Sequence, residues 1–245
     1  MSASPGLQWQ PSGITPGPVP SSKKAMNYEI RYRPAFAALF LTLEPGERLY
    51  AEAGAMASMA GGLSMQTEFF GGLISGLLKA FLGGESLFVS QFVNKTNQPQ
   101  EVVLSQATIG DMLPLELHGE ALCLQPGAYV AHTPGVKTQL QWAGFASWFA
   151  GEGLFKLKLS GHGLIFFGAY GGLTPVQVDQ ELVVDNGHLV AYEPGITMAI
   201  GLAGGMVGSL TSGEGFVNRL KGRGKIYLQS RSVSGLVRFL RPKLP

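Results

Sequence analysis

The chain has 245 residues, 45% of them hydrophobic and only 14% charged, with a formal net charge of +2. That balance is far from a disordered chain and is apolar enough for a substantial core, in one large domain or two small ones. A single cysteine, Cys123, excludes an internal disulfide and suits a reducing compartment, and no apolar run reaches the roughly 18–20 residues of a bilayer-spanning helix.

Residues 1–25 hold Pro5, Pro11, Pro16, Pro18 and Pro20 and no apolar signal-peptide core, so they read as a flexible tail on a cytoplasmic protein. The first clear element is a turn. In Glu44-Pro45-Gly46-Glu47, proline pre-sets φ and glycine accepts positive φ, the requirements of type II. A strand over 48–52 follows, with a second turn at Ala53-Gly54. Residues 69–82 are apolar, with Lys79 the only charge, and a helix is expected over 73–82. Its stripe Ile74, Leu77, Leu78 and Phe81 has helical spacing. Gly84-Glu85 then leads into a strand over 87–92, apolar enough to be covered on both faces.

A similar order follows. A strand is expected over 115–117, and Cys123 reads as buried filler in the apolar run Ala121-Leu122-Cys123-Leu124. A type II turn at Gln125-Pro126-Gly127-Ala128 precedes a strand over 129–133, a turn at Pro134-Gly135, a short helix over 145–150 and the pair Gly151-Glu152. In the strand 154–159, Phe155, Leu157 and Leu159 alternate with Lys156 and Lys158, which predicts a half-buried strand with its lysines in water. After a strand over 176–178, Asn186-Gly187 signals a two-residue hairpin turn. A strand over 188–193, a turn at Pro194-Gly195, a short helix over 206–210 and Gly213-Glu214 complete the series.

The glycines Gly46, Gly127 and Gly187 are each followed eight residues later by another, Gly54, Gly135 and Gly195. Such self-similarity predicts a threefold internal repeat. The expected organisation is a Pro-rich tail over 1–25, repeat 1 over 26–112 with a helical insertion at 69–82, repeat 2 over 113–173, repeat 3 over 174–239 and a basic tail over 240–245. Units of about 60 residues bury little surface alone, so the copies should pack around one pseudo-threefold axis. The fold class is all-β with a few short helices.

These residues resemble a known family. The Gly71-Gly72 segment, the expected helix to Leu82, the run Gly84-Glu85-Ser86-Leu87-Phe88 and Val190-Ala191-Tyr192-Glu193-Pro194-Gly195 look like the family of the mitochondrial biogenesis protein "altered inheritance of mitochondria 24", over about 27–235. The resemblance implies three small β-sandwich units like the tryptophan RNA-binding attenuation protein. It supplies no established catalytic residue, and no matching lysine-rich RNA motif stands in each copy, so fold analogy gives no RNA function.

The chemical inventory is thin. His118, His162 and His188 adjoin glycines at turns, His132 stands apart, and no pair has metal-ligand spacing. Neither a nucleophile elbow nor a phosphate-binding loop is present. Glu85, Glu152 and Glu214 are candidates to converge on a cation near the axis. The simpler account has each bonding local amides, because a fold requirement recurs in every copy. Eight of the chain's 18 Lys and Arg fall between Arg219 and Lys243, with no acidic residue after Glu214. Arg219, Lys221, Arg223, Lys225 and Arg231 form the candidate basic patch, or else a strand edge guarded against sticky pairing.

The expected function is a non-enzymatic binding or scaffold protein that forms a homo-oligomer, with no catalytic residue and no cofactor, and with its small-molecule ligand unspecified. The alternative is peripheral association with an anionic membrane surface through Phe69, Phe70, Leu73, Ile74, Leu77, Leu78 and Phe81 beside the basic patch. Nucleic-acid binding is the weaker alternative, since only Tyr227 and Phe239 interleave with the C-terminal cations.

Overall fold

The computed structural model describes residues 26–69, 88–125, 127–142, 155–202 and 216–243. These residues are predominantly β. The strands of the first half are β1 (Asn27–Arg31), β2 (Ala38–Leu43), β3 (Arg48–Glu52), β4 (Met56–Met59), β5 (Leu63–Phe69), β6 (Phe88–Asn94) and β7 (Gln100–Ser105). Then come β8 (Met112–Leu124), β9 (Tyr129–His132), β10 (Val136–Trp142), β11 (Phe155–Gly168) and β12 (Leu173–Val178). The last are β13 (Glu181–Asp185), β14 (Leu189–Tyr192), β15 (Ile196–Leu202), β16 (Phe216–Gly222) and β17 (Gly224–Gln229), followed by the helix α1 (Val233–Leu240).

The strands form three sheets. One has the order β1-β2-β7-β4 and another β13-β16-β15. The largest runs β12-β17-β14-β8-β11-β9-β3-β6-β5, with β10 joined to β11 beside that path. The strand-to-strand ladders are antiparallel. The long β11 holds the large sheet together. It pairs along β8, with β10 at its start and with β9 at its end. The exchange of partners occurs where β11 breaks register between Ser160 and His162. Gly161 has φ +114° there, and a side chain at that position would run into the Gly135 carbonyl. Only glycine meets both demands.

Alternation places the core. In β2 the residues Leu39, Leu41 and Leu43 point inward and their neighbours are half-buried. They meet Leu49 and Ala51 of β3, Phe92 of β6 and Phe166 of β11, so the four-stranded sheet lies face to face on part of the large one. A second cluster gathers Leu122, Leu124, Leu159, Phe167, Val190 and Tyr227. A third, smaller one joins Val184, Leu189, Ile196, Leu220 and Ile226.

The first turn forms as expected: Gly46 has φ +82°, and the Glu47 amide donates to the Glu44 carbonyl at 2.9 Å. Further turns close by the same i to i+3 bond: Ala55 to Glu52, Leu63 to Ala60, Ala128 to Gln125, Val136 to Thr133 and Ile196 to Glu193. The expected helices at 73–82, 145–150 and 206–210 lie outside the described residues.

Three expectations need correction. Asn186-Gly187 opens a 3-10 turn over Asn186–His188 instead of a two-residue hairpin. The Asp185 carboxylate takes the Gly187 amide at 3.0 Å and draws the chain into that turn. Lys156 does not face water. It is 5% exposed, with Nζ 3.3 Å from Met198 Sδ and 5.3 Å from the Tyr192 ring centroid, because β14 and β15 cover this end of β11. The C-terminal basic residues, finally, do not all edge a strand or lie in a tail. The chain leaves β17 at Gln229, Ser232 caps α1, and Arg238 lies on the helix, with Arg241 and Lys243 in a 3-10 turn at its end.

Candidate functional site

A partly buried polar network sits where β3, β6 and β9 meet. Register places Tyr50 opposite His132 and also opposite Gln91. The rings of Tyr50 and His132 stack with centroids 5.1 Å apart. The Tyr129 hydroxyl lies 2.6 Å from His132 Nδ1 and donates to the Tyr50 carbonyl at 3.2 Å, while Gln91 Nε2 donates to the Tyr50 hydroxyl at 2.8 Å. An imidazole protonated at Nδ1 closes this chain with each atom donating once. Burial sets the electrostatics. It lowers the His132 imidazole to about 4 and, with a smaller contribution from the Glu52 charge, raises the Tyr129 phenol well above its usual value. At neutral pH the network is uncharged.

The other histidines are held differently. His118 of β8 and His162 of β11 stand inside strands, not at the turns expected from their neighbouring glycines, and are register partners on an exposed face. The Glu116 carboxylate lies 4.0 Å from His118, and Glu120 accepts the His118 amide at 3.0 Å. Hydrogen bonds from its own amide and that of His118 hold the Glu120 carboxyl below its usual value. His188 Nδ1 lies 2.7 Å from the Gln229 carbonyl. Among the described residues no group of three or more His, Cys, Asp or Glu is placed to hold a metal ion. The cation candidates Glu85, Glu152 and Glu214 lie outside the described residues. Cys123 is buried, and burial pushes its thiol up.

The basic patch acquires acidic neighbours that are distant in sequence. Arg219 and Lys221 of β16 reach Glu181 of β13 at 3.2 and 3.3 Å, and Arg223 reaches Asp179 at 3.8 Å. Hydrogen bonds from Arg219 and then Lys221 hold the Glu181 carboxyl below its usual value. The Lys225 amide bonds the Glu193 carboxylate at 2.8 Å. Arg231 is exposed just before α1. Of the apolar candidates, Phe69 ends β5 opposite Phe88, whereas Phe70, Leu73, Ile74, Leu77, Leu78 and Phe81 lie outside the described residues.

Two exposed features escaped the sequence reading. The strands β4 and β5 are consecutive in the chain and edge two different sheets. They carry Met56, Met59 and Met65, each 37% to 42% exposed. The helix α1 has no buried residue. Its signal was present, a serine N-cap before apolar residues at 233, 236, 237 and 240. The eight basic residues of the region drew attention to charge instead.

An antiparallel β body with one short helix among its described residues, and no helix there long and apolar enough to cross a membrane, is the class the fold defines. The chain belongs to the family described as Mitochondrial biogenesis AIM24, whose model matches residues 28–231. An uncharacterized protein of Streptococcus pyogenes serotype M6 is 26% identical over 229 residues, which cover 90% of this chain and 92% of that protein. The crystal structure of protein SPYM3_0169 from Streptococcus pyogenes matches with a TM-score of 0.73 and 25% identity, over 89% of this chain and all of that one. The fold is therefore shared with a protein of known structure.

Proposed function

We propose that this protein is a non-enzymatic binding or scaffold module that works by assembling with further copies of itself. The carrying observation is the pair of neighbouring sheet edges formed by β4 and β5. Every residue of β4 is exposed, none of its side chains is charged, and Met56, Met59 and Met65 add flexible apolar surface. Neither Lys nor Pro guards β4, although its register with β7 shifts between Met56 and Ser58, and Glu68 is the one charge on β5; the apolar surface of these two edges suits them to association with another copy. A second copy offers the same edge, which makes the contact self-complementary.

The body is read as three related β units over 26–112, 113–173 and 174–239, around a pseudo-threefold axis and similar to the attenuation-protein fold. In support, strand, tight turn and long hairpin recur: β3 precedes the β5–β6 hairpin, β9 the β10–β11 hairpin and β14 the β15–β16 hairpin.

Light scattering tests the reading. The intact protein is expected to form a defined oligomer. A Met56→Lys/Met59→Lys/Met65→Lys variant should return to the mass of one 26.0 kDa chain with unchanged circular dichroism, because lysines block edge pairing. A wild-type protein that stays monomeric at every concentration sinks the proposal.

A further inference from the structure

We propose that α1 and the turn that follows it dock the protein on an anionic lipid surface. The inference goes beyond the assembly reading and does not depend on it, since α1 and the β4–β5 edge are separate elements. The helix is well formed at its start: the Ser232 hydroxyl accepts the Gly235 amide at 3.1 Å. That start rests on the 3-10 turn Asn186–His188, where Gly187 leaves room for it. A side chain at Gly187 would come within 2.7 Å of Ser232 Cβ and 3.1 Å of Ser234 Oγ. Beyond this foothold none of the eight helical residues is buried.

One face of the helix is apolar. Val233, Leu236, Val237 and Leu240 have i, i+3, i+4 and i+7 spacing, which sets them along one stripe with Phe239 at its flank. All five are exposed, from 37% for Leu240 to 60% for Phe239. A soluble helix normally turns such a stripe into the core; here the stripe stays exposed.

Charge identifies the occupant. The helix and its end carry Arg238, Arg241 and Lys243, Arg231 lies just before it, and no acidic residue follows Glu214. Lys243 folds back over the Phe239 ring, 4.0 Å from its centroid, so a cation and an aromatic ring sit together at the helix end. Apolar side chains rimmed by cations match the boundary between acyl chains and anionic headgroups. A protein partner fits less well. Eight residues of helix are only about 12 Å long, too short to supply the roughly 800 Å² per side of a stable protein interface. A membrane instead rewards several weak contacts presented at once.

The test uses the full chain and sedimentation with phosphatidylcholine vesicles made with and without phosphatidylglycerol. Binding to the anionic vesicles alone, weakened by added salt, is expected. Val237→Asp should weaken it at least about tenfold, since a side chain that enters the acyl boundary becomes a charge. Arg241→Gln and Lys243→Gln should each weaken it about fivefold. These positions are exposed, so unchanged thermal melting keeps loss of binding separate from loss of fold. Four results would overturn the proposal: no binding of the wild type to anionic vesicles, full binding by Val237→Asp, a smaller solution mass for Val237→Asp, which would make the stripe a contact between copies, or loss of single-stranded RNA binding in the basic variants with vesicle binding intact.

Discussion

Replacing Arg33 by alanine is expected to cost about 2 kcal/mol of folding stability, the penalty of leaving a buried carboxylate without its charged partner, lessened because the Arg33 side chain is itself 36% exposed. For a chain of this length that is a fall in melting temperature of roughly 4–8 °C. The reason is local. Arg33 meets Asp111 with two parallel bonds, Nε to Oδ1 at 2.7 Å and an Nη to Oδ2 at 3.0 Å. The Asp111 side chain is only 4% exposed. Without the guanidinium the carboxylate stays desolvated, with the Met112 amide at 2.9 Å as its remaining side-chain contact. The surroundings leave it nowhere to turn. The Ala37 amide bonds Gly110, the Asp111 amide bonds Gly171, and the Ala169 amide bonds Asp111, so residues 109–111 are threaded between two other segments. A side chain at Gly110 would collide with the backbone of Ala169 and Gly171. Scanning calorimetry of Arg33→Ala, Asp111→Asn and the double variant checks the coupling. If the pair matters as a pair, the double variant should be less destabilised than the sum of the two single changes. Strict additivity would contradict the account.

What could be read from the residues was what short-range chemistry dictates. Pro45-Gly46 and the glycine turns set the strand starts, and the strands expected at 48–52, 129–133 and 188–193 are β3, β9 and β14 within a residue at either end. Features that depend on a distant partner were hidden. The alternation around Lys156 was correct as a strand signal, yet the face it assigned to water is covered by Tyr192 and Met198, which lie on later strands. The basic run near Arg219 looked unneutralised because Glu181 joins it only through the β13–β16 register. His132 gave no sign of its burial, since its stacking partner Tyr50 lies far away in sequence, between Gly46 and Gly54. The helix α1 was legible in principle: its N-cap and apolar spacing are local, and reading that stretch by charge alone concealed them.

The buried imidazole gives the second large effect, and its sign is fixed. Wild-type stability is expected to fall as the pH drops from about 6.5 to about 4, by up to about 3 kcal/mol. Above 6.5 His132 is neutral in both the folded and the unfolded chain, and it contributes no pH dependence. Between the two values the unfolded chain binds a proton that the folded chain, with its ring sealed against Tyr50 and Tyr129, does not. Unfolding is therefore favoured increasingly as the acid is raised. Below about 4 both states carry the proton and this contribution levels off. Urea unfolding of wild type and His132→Gln at a series of pH values isolates it from every other titrating group. The variant is expected to be less stable at pH 7, because the Tyr129 hydroxyl loses its 2.6 Å partner, and to lose less on acidification. The two stability curves should thus converge toward pH 4. Curves that run parallel throughout would show that His132 does not carry the acid sensitivity, and that its ring is reached by water in the folded protein.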